Sequence, residues 1–257
     1  MISEKNEKIL GAFLLVVLIS CLVYLIFFAS KNANKTEVEM IKINGNNLLT
    51  ENEYLKSANL ADHSLYKNLT LSEIKARIDK HPYLKNVDVE YAGNNLVNVN
   101  LTEKKIKAII IDNGEPYFIS DDFEILPMIE GTKFSDLPVI SNAILDNHFG
   151  PLTYQINDGL VEAFKIIDAA KLTNDNVSKR ISEINLRNGG DIILTFSGMK
   201  PPVIFGKGEL TKKMIYFEIM LDGINNGNSL VDNSDYIDLR FANEIYIGKS
   251  EGTGLSE

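Results

Sequence analysis

The fold turns on PYLKNVDVEYAGNNLVNVNLTE, residues Pro82 to Glu103. Val87, Val89 and Tyr91 alternate with Asp88 and Glu90. After Ala92-Gly93-Asn94-Asn95, Val97, Val99 and Leu101 alternate with Asn98, Asn100 and Thr102. Period-two alternation on both sides of an Asn/Gly turn predicts a β-hairpin with one wet face. Upstream, Thr70-Leu71-Ser72-Glu73 has capping-box spacing, in which the Thr hydroxyl and the Glu carboxylate satisfy free helix N–H groups. Leu71, Ile74 and Ile78 then fall on one helical face, and Pro82 lies beyond its end. Glu51 to Leu60 reads as a shorter helix using Tyr54 and Leu55, and Val38 to Gly45 as a strand ending in a turn pair. The order β-α-α-β-β in about seventy residues predicts a small sheet with two helices on one side.

Downstream, from Lys104 to Lys249, the pattern is mostly β. Ile106 to Ile111 breaks at Asp112-Asn113-Gly114, and Asn-Gly is the strongest short hairpin signal. Tyr117 to Ser120 reaches a second turn at Asp121-Asp122 and continues into Phe123 to Leu126. Leu160, Phe164, Ile167 and Ala170 mark one helix; Leu210, Met214, Phe217 and Leu221 mark another. Ile184 to Arg187 turns at Asn188-Gly189-Gly190 into Ile192 to Phe196. The closing segment, Tyr236 to Ile247, keeps a single alternation throughout and predicts one strand, with Ala242-Asn243-Glu244 as the place where a bend would fall.

Before both stretches, Ile9 to Ser30 gives 22 residues without a charge, closed by Lys8 and Lys31. As a helix this run is about 33 Å long, matching the roughly 30 Å hydrocarbon core of a bilayer. Leu18-Ile19-Ser20-Cys21 has the form of a lipoprotein cleavage site. However, Leu22 to Phe28 carries the apolar run on where a lipidated Cys would open a polar tether. The segment therefore reads as an uncleaved span. Lys5 and Lys8 before it and Lys31 and Lys35 after it give little orientation bias; the short head and large tail favour a cytoplasmic N-terminus with the bulk outside. Cys21 is the chain's one cysteine, so the later region has neither a disulfide nor a thiolate metal site.

Composition bounds the function further. Net charge is −9 over 257 residues, without the basic footprint of a nucleic-acid binder. His63, His81 and His148 have no paired spacing and read as surface or loop residues rather than zinc ligands. No Gly-x-Ser-x-Gly elbow is present. Gly206-Lys207-Gly208 lacks the rest of a phosphate loop and reads as a strand-to-helix turn. Asp121-Asp122 reads as a hairpin corner, and Lys104, Lys105 and Lys107 as a solvated strand face. Nothing calls for a cofactor, and the chain does not read as an enzyme.

This arrangement, just outside a single span, resembles a POTRA domain, and the wording resembles the FtsQ/DivIB cell-division family. The family's strand-opening motif corresponds to Ile41-Lys42-Ile43-Asn44-Gly45-Asn46. Its "PWVKxVxV" element corresponds to Pro82 through Val89, with Tyr83 in place of the usual Trp. "NxLxIxVxE" corresponds to Asn94 through Glu103, shifted by one residue, and Ile106 stands where Pro often follows. Leu137-Pro138-Val139-Ile140 and Tyr236-Ile237-Asp238-Leu239-Arg240-Phe241 match segments of its β domain.

The resemblance implies an α+β chain with six parts: a cytoplasmic tail (1–8), a transmembrane helix (9–30), a hinge (31–37), a POTRA-like domain (38–103), a mostly antiparallel β domain with two helices (104–249) and a polar tail (250–257). It also implies a divisome scaffold in the cytoplasmic membrane at the septum, with FtsB-like and FtsL-like partners. The alternative is an anchored envelope enzyme or a transport-associated POTRA protein. In the family, the C-terminal strand region meets partners. Here that region offers Tyr236, Arg240, Phe241, Asn243, Ile245 and Tyr246 on an edge that Glu244 and Lys249 would otherwise keep solitary. Cys21→Ala is expected to leave membrane attachment unchanged. A diacylglyceryl mass shift at Cys21 in the wild type would contradict the uncleaved span.

Overall fold

The computed structural model describes residues 13–25, 38–134, 136–146, 148–225, 231, 234–241 and 244–249. Residues 13–25 form helix α1. The apolar run at 9–30 lies partly outside the described residues, and among these no helix is long and apolar enough to cross a membrane.

Strand β1 (Met40–Asn44), helices α2 (Glu51–Ser57) and α3 (Leu71–Ile78), and strands β2 (Leu84–Gly93) and β3 (Leu96–Glu103) follow in the expected order. The sheet order is β1-β3-β2, with β1 parallel and β2 antiparallel to β3. The hairpin turns on Asn94 and Asn95, both at positive φ (49° and 59°), as a tight turn matched to strand twist requires. Thr70 caps α3 with both bonds of the box, and Thr50 with Glu53 does the same for α2. The motif residues have local reasons. Gly45 sits at φ 81°, and a Cβ there would strike the Leu101 carbonyl. Glu103 accepts the N–H groups of Asn47 (2.9 Å) and Leu48 (3.0 Å) and the Tyr54 hydroxyl (2.5 Å), tying the end of β3 to the loop after β1.

Among the described residues the second sheet has nine strands: β4 (Ile106–Asp112), β5 (Glu115–Ser120), β6 (Ile125–Leu126), β7 (Val139–Ser141), β8 (Ile181–Asn185), β9 (Ile193–Phe196), β10 (Val203–Ile204), β11 (Tyr236–Asp238) and β12 (Tyr246–Gly248). Their order is β12-β11-β10-β9-β8-β7-β4-β5-β6. Five of the eight pairings are antiparallel. Asn113-Gly114 makes the β4–β5 turn at positive φ. Helices α4 (Asp158–Thr173) and α6 (Leu210–Asn225) pack Leu160, Phe164, Ile167, Ala170, Met214, Phe217 and Leu221 into the core. A third helix, α5 (Asp175–Arg180), adds to the two expected. Asn174 ends α4 and starts α5 at once, its side chain accepting the Asn176 N–H.

The two sheets share a core at their junction. Phe118 and Leu126 of the second sheet are buried with the side chains of the first. Tyr83, fully buried, accepts the Ile129 N–H (3.0 Å), donates to the Pro127 carbonyl (2.9 Å) and lies 2.9 Å from the Thr132 hydroxyl. Two readings of this region need correction. His81 is a turn residue but not a surface one: it is buried between the Tyr54 and Tyr83 rings (4.7 and 5.2 Å), and its Nδ1 accepts the Tyr83 N–H. The lysine face is also only partly solvated, because Lys104 pairs with Glu124 at 2.7 Å and Lys107 pairs with Asp168.

Burial pushes the His81 pKa down from 6.5 to about 4, against the attraction of Glu103 and with the repulsion of Lys104. Between those values the unfolded chain binds a proton that the fold refuses, so stability rises with pH. It should be complete above about pH 6.5, fall by on the order of 2–3 kcal/mol as the pH drops to 4, and change no further from this group below that. His81→Asn keeps an acceptor for Tyr83 and should flatten the slope of urea-unfolding stability in that window. An unchanged slope would mean that His81 is not its source.

Candidate partner-binding edge

The closing segment is not one strand. Its alternation is real, but the chain reverses within it: β11 and β12 pair antiparallel, Tyr236 opposite Gly248, Ile237 opposite Ile247 and Asp238 opposite Tyr246. The reason lies in Asp238. This nearly buried carboxylate accepts the backbone N–H of Arg240 (2.9 Å), drawing it out of the ladder into a side-chain-closed turn. The same carboxylate binds the Arg240 guanidinium at Nε (3.0 Å) and Nη2 (2.6 Å), and Nη1 reaches Asp191 at 2.8 Å.

Charges agree with this geometry. Burial pushes the Asp238 carboxyl up, but the bonds and charge of Arg240 outweigh it and hold the group below the usual carboxylate range. Arg240 is raised by Asp238 and then Asp191. Beneath the turn, the buried Lys213 ammonium donates to the carbonyls of Phe205 (3.0 Å) and Lys207 (2.9 Å). Gly206 lies at φ 65°, and a Cβ there would come within 2.7 Å of Arg240 Cγ. Gly206-Lys207-Gly208 is thus a strand-to-helix turn that supports Arg240.

The sequence-predicted residues are distributed unevenly over this hairpin. Phe241 and Tyr246 stack edge-to-face at 4.8 Å, both about half exposed, and the Tyr246 hydroxyl donates to Glu244 (2.6 Å). Tyr236 lies half-buried against Gly248. Ile245 packs partly on the helix-side core, and Arg240 is committed to the turn. Asn243 lies outside the described residues.

Ile247 was not singled out from sequence, although it shares the parity of Ile245. The N–H groups of Ile237 and Leu239 donate to Pro202 and Ile204, toward β10. Tyr236 and Asp238 therefore face β12, Tyr246 and Gly248 face back, and the N–H and C=O of Ile247 point away from the sheet. Strand β12 is the outermost strand among the described residues, so the arrangement can take one more strand by backbone pairing. Lys213 and Asp191 were also missed; neither carries a sequence signal that ties it to residue 240. Among the described residues, no cluster of three or more His, Cys, Asp or Glu could hold a metal ion.

Comparison with known proteins covers most of the chain. A family model described as POTRA domain, FtsQ-type, matches residues 36–104. A second, Cell division protein FtsQ/DivIB, C-terminal, matches residues 108–240. The Cell division protein FtsQ of Geotalea daltonii is 23% identical over 249 residues, 96% of this chain and 88% of that protein. The Cell division protein FtsQ of Myxococcus fulvus is 22% identical over 178 residues, 69% of this chain and 61% of that protein. The C-terminal match ends at Arg240, so β12 lies beyond it.

Asp238→Ala should lower stability by roughly 1–3 kcal/mol, because it removes the acceptor that closes the turn. It should also speed amide exchange across β11 and β12 while leaving β8 and β9 protected. Uniform exchange changes across the sheet would place the role of Asp238 elsewhere.

Proposed function

The chain belongs to the FtsQ/DivIB family, and from that premise we propose that it is a bitopic scaffold of the bacterial divisome, recruiting and connecting other division proteins during septum formation. It is not an enzyme. The run from Ile9 to Ser30 crosses the cytoplasmic membrane once, with the N-terminus inside and the two sheets outside, and the POTRA-like region from Val38 to Glu103 contributes recruitment contacts at the septum.

The observation that carries the partner reading is the open β12 edge, with Ile247 backbone groups directed outward beside the exposed Phe241–Tyr246 pair. A strand from an FtsB-like partner, itself associated with an FtsL-like protein, adds there. Phe241, Tyr246 and Asn243 supply side-chain contact, and Ile245 and Ile247 supply backbone pairing. Tyr236 and Arg240 hold the hairpin that presents them. Glu244 is held beside the hairpin by the Tyr246 hydroxyl, which fixes where its charge sits.

Proline tests this directly, because it removes an N–H and resists the ladder. Ile247→Pro and Ile245→Pro should abolish co-purification of the FtsB-like partner from host membranes while the protein stays folded. Glu244→Ala should matter little. Cells relying on either proline variant should filament. Normal septation and undiminished co-purification with a folded Ile247→Pro protein would put the interface elsewhere.

A further inference from the structure

The large sheet has a second open edge, at the end opposite β12. Residues 152–155 run antiparallel beside β6. Leu152 N–H donates to the Ile125 carbonyl (2.7 Å), Ile125 N–H to the Thr153 carbonyl (2.8 Å) and Gln155 N–H to the Phe123 carbonyl (3.0 Å), around the Glu124–Tyr154 bridge. These bonds turn the Leu152 N–H, the Thr153 carbonyl and the Gln155 N–H inward. The backbone groups of Tyr154 consequently point outward, and among the described residues they have no partner.

The side chains follow the same division. Leu152, Tyr154 and Ile156 are 54%, 58% and 63% exposed, while Gln155 between them is 2% exposed. Solitary edge strands are commonly guarded by charges or bulges; Leu152-Thr153-Tyr154-Gln155-Ile156 carries no charge, and its irregularity at Leu152 stops short of Tyr154. Leu152 is held at φ 66°, in the left-handed region that leucine rarely enters. Its own bond to Ile125 and the bond from Thr153 N–H to Gly150 (3.2 Å) impose that conformation. Strain of this kind persists where surrounding structure over-determines it, and it clusters at binding sites.

Charge selects the occupant. The Glu124 carboxylate, then desolvation, then the Asp122 carboxylate raise the pKa of the Tyr154 phenol, which places both acids within electrostatic reach of this edge. Lys104 partly offsets Glu124 at 2.7 Å, but among the described residues Asp122 and the exposed Asp121 have no such cation. A second copy of this chain would bring its own acids to the same place.

We propose that the Leu152–Ile156 edge is a second docking strand, which takes an extended partner segment with alternating apolar residues and a Lys or Arg passing Asp121 and Asp122. This rests on the scaffold reading above, and it makes the sheet a bridge with one partner strand at each end.

The test places the photo-crosslinking residue p-benzoylphenylalanine at Tyr154 of the full-length protein in host membranes, with Leu172 on α4 as an exposed control, and sequences the crosslinked peptides. The expected result is a segment of a partner protein with the stated pattern, crosslinked from position 154 and not from 172. The crosslink should be lost with Ile156→Asp and with Ile156→Pro, whose folding is checked by thermal unfolding. Crosslinks only to a second copy, only to lipid, to a segment without the pattern, or to nothing overturn the proposal. If that happens while Ile247→Pro still loses the FtsB-like partner, only this second edge is wrong. If Ile247→Pro also keeps its partner, the reading of β12 as the docking edge falls with it.

Discussion

The Tyr83 side chain sets the geometry on which both sheets depend. Its ring belongs to the core of the first sheet, together with Tyr54, Ile74 and Val87, while its hydroxyl is satisfied by the segment after β6. A buried hydroxyl without partners would cost a few kcal/mol, and each bond it makes here returns about 1 kcal/mol net. Phe118 packs edge-on to Tyr83 at 6.2 Å and is buried from the other side. Separating the two sheets would therefore strand a polar group and expose aromatic surface at the same time. Neighbouring contacts reinforce the joint: the Lys133 N–H donates to the Leu48 carbonyl at 2.7 Å.

That joint gives a scaffold its usefulness. A sheet edge can recruit a strand only if it is held at a fixed height and angle, and here both ends of the large sheet are referred to the first sheet through β4, β5 and β6. At the far end the Asp238–Arg240 turn converts what would be a long final strand into a hairpin, which renews the edge with β12. A single carboxylate thus decides which backbone groups face solvent. The network of Lys213, Asp191 and Arg240 around Gly206 keeps that turn in place without exposing an unpaired charge.

Much of this was legible in the sequence because the signals are local. Asn94-Asn95 and Asn113-Gly114 need positive φ, and Thr70 with Glu73 needs only three residues of spacing. The apolar faces of α4 and α6 also read correctly, since periodicity reports burial on one side of a helix. The misses are long-range. Nothing near His81 announces that two tyrosine rings from different elements will enclose it. Lys104 and Lys107 looked solvated because Glu124 and Asp168 are distant in sequence. Alternation through Tyr236 to Ile247 could not reveal a reversal, because a hairpin with matched register preserves the same parity on both arms. Tyr83, noted only as a departure from tryptophan, turns out to use its hydroxyl in a way an indole could not, since an indole N–H donates but does not accept.

Amide hydrogen exchange of the intact protein, with and without a peptide spanning the segment of the proposed FtsB-like partner that would add as a strand, tests the central claim most directly. The account predicts slowed exchange at Ile245 and at Ile247, whose N–H faces outward in β12, with Tyr246 and Gly248 little changed because they already pair within the hairpin. Protection confined to other elements, with Ile245 and Ile247 exchanging as fast as in the free protein, would contradict it.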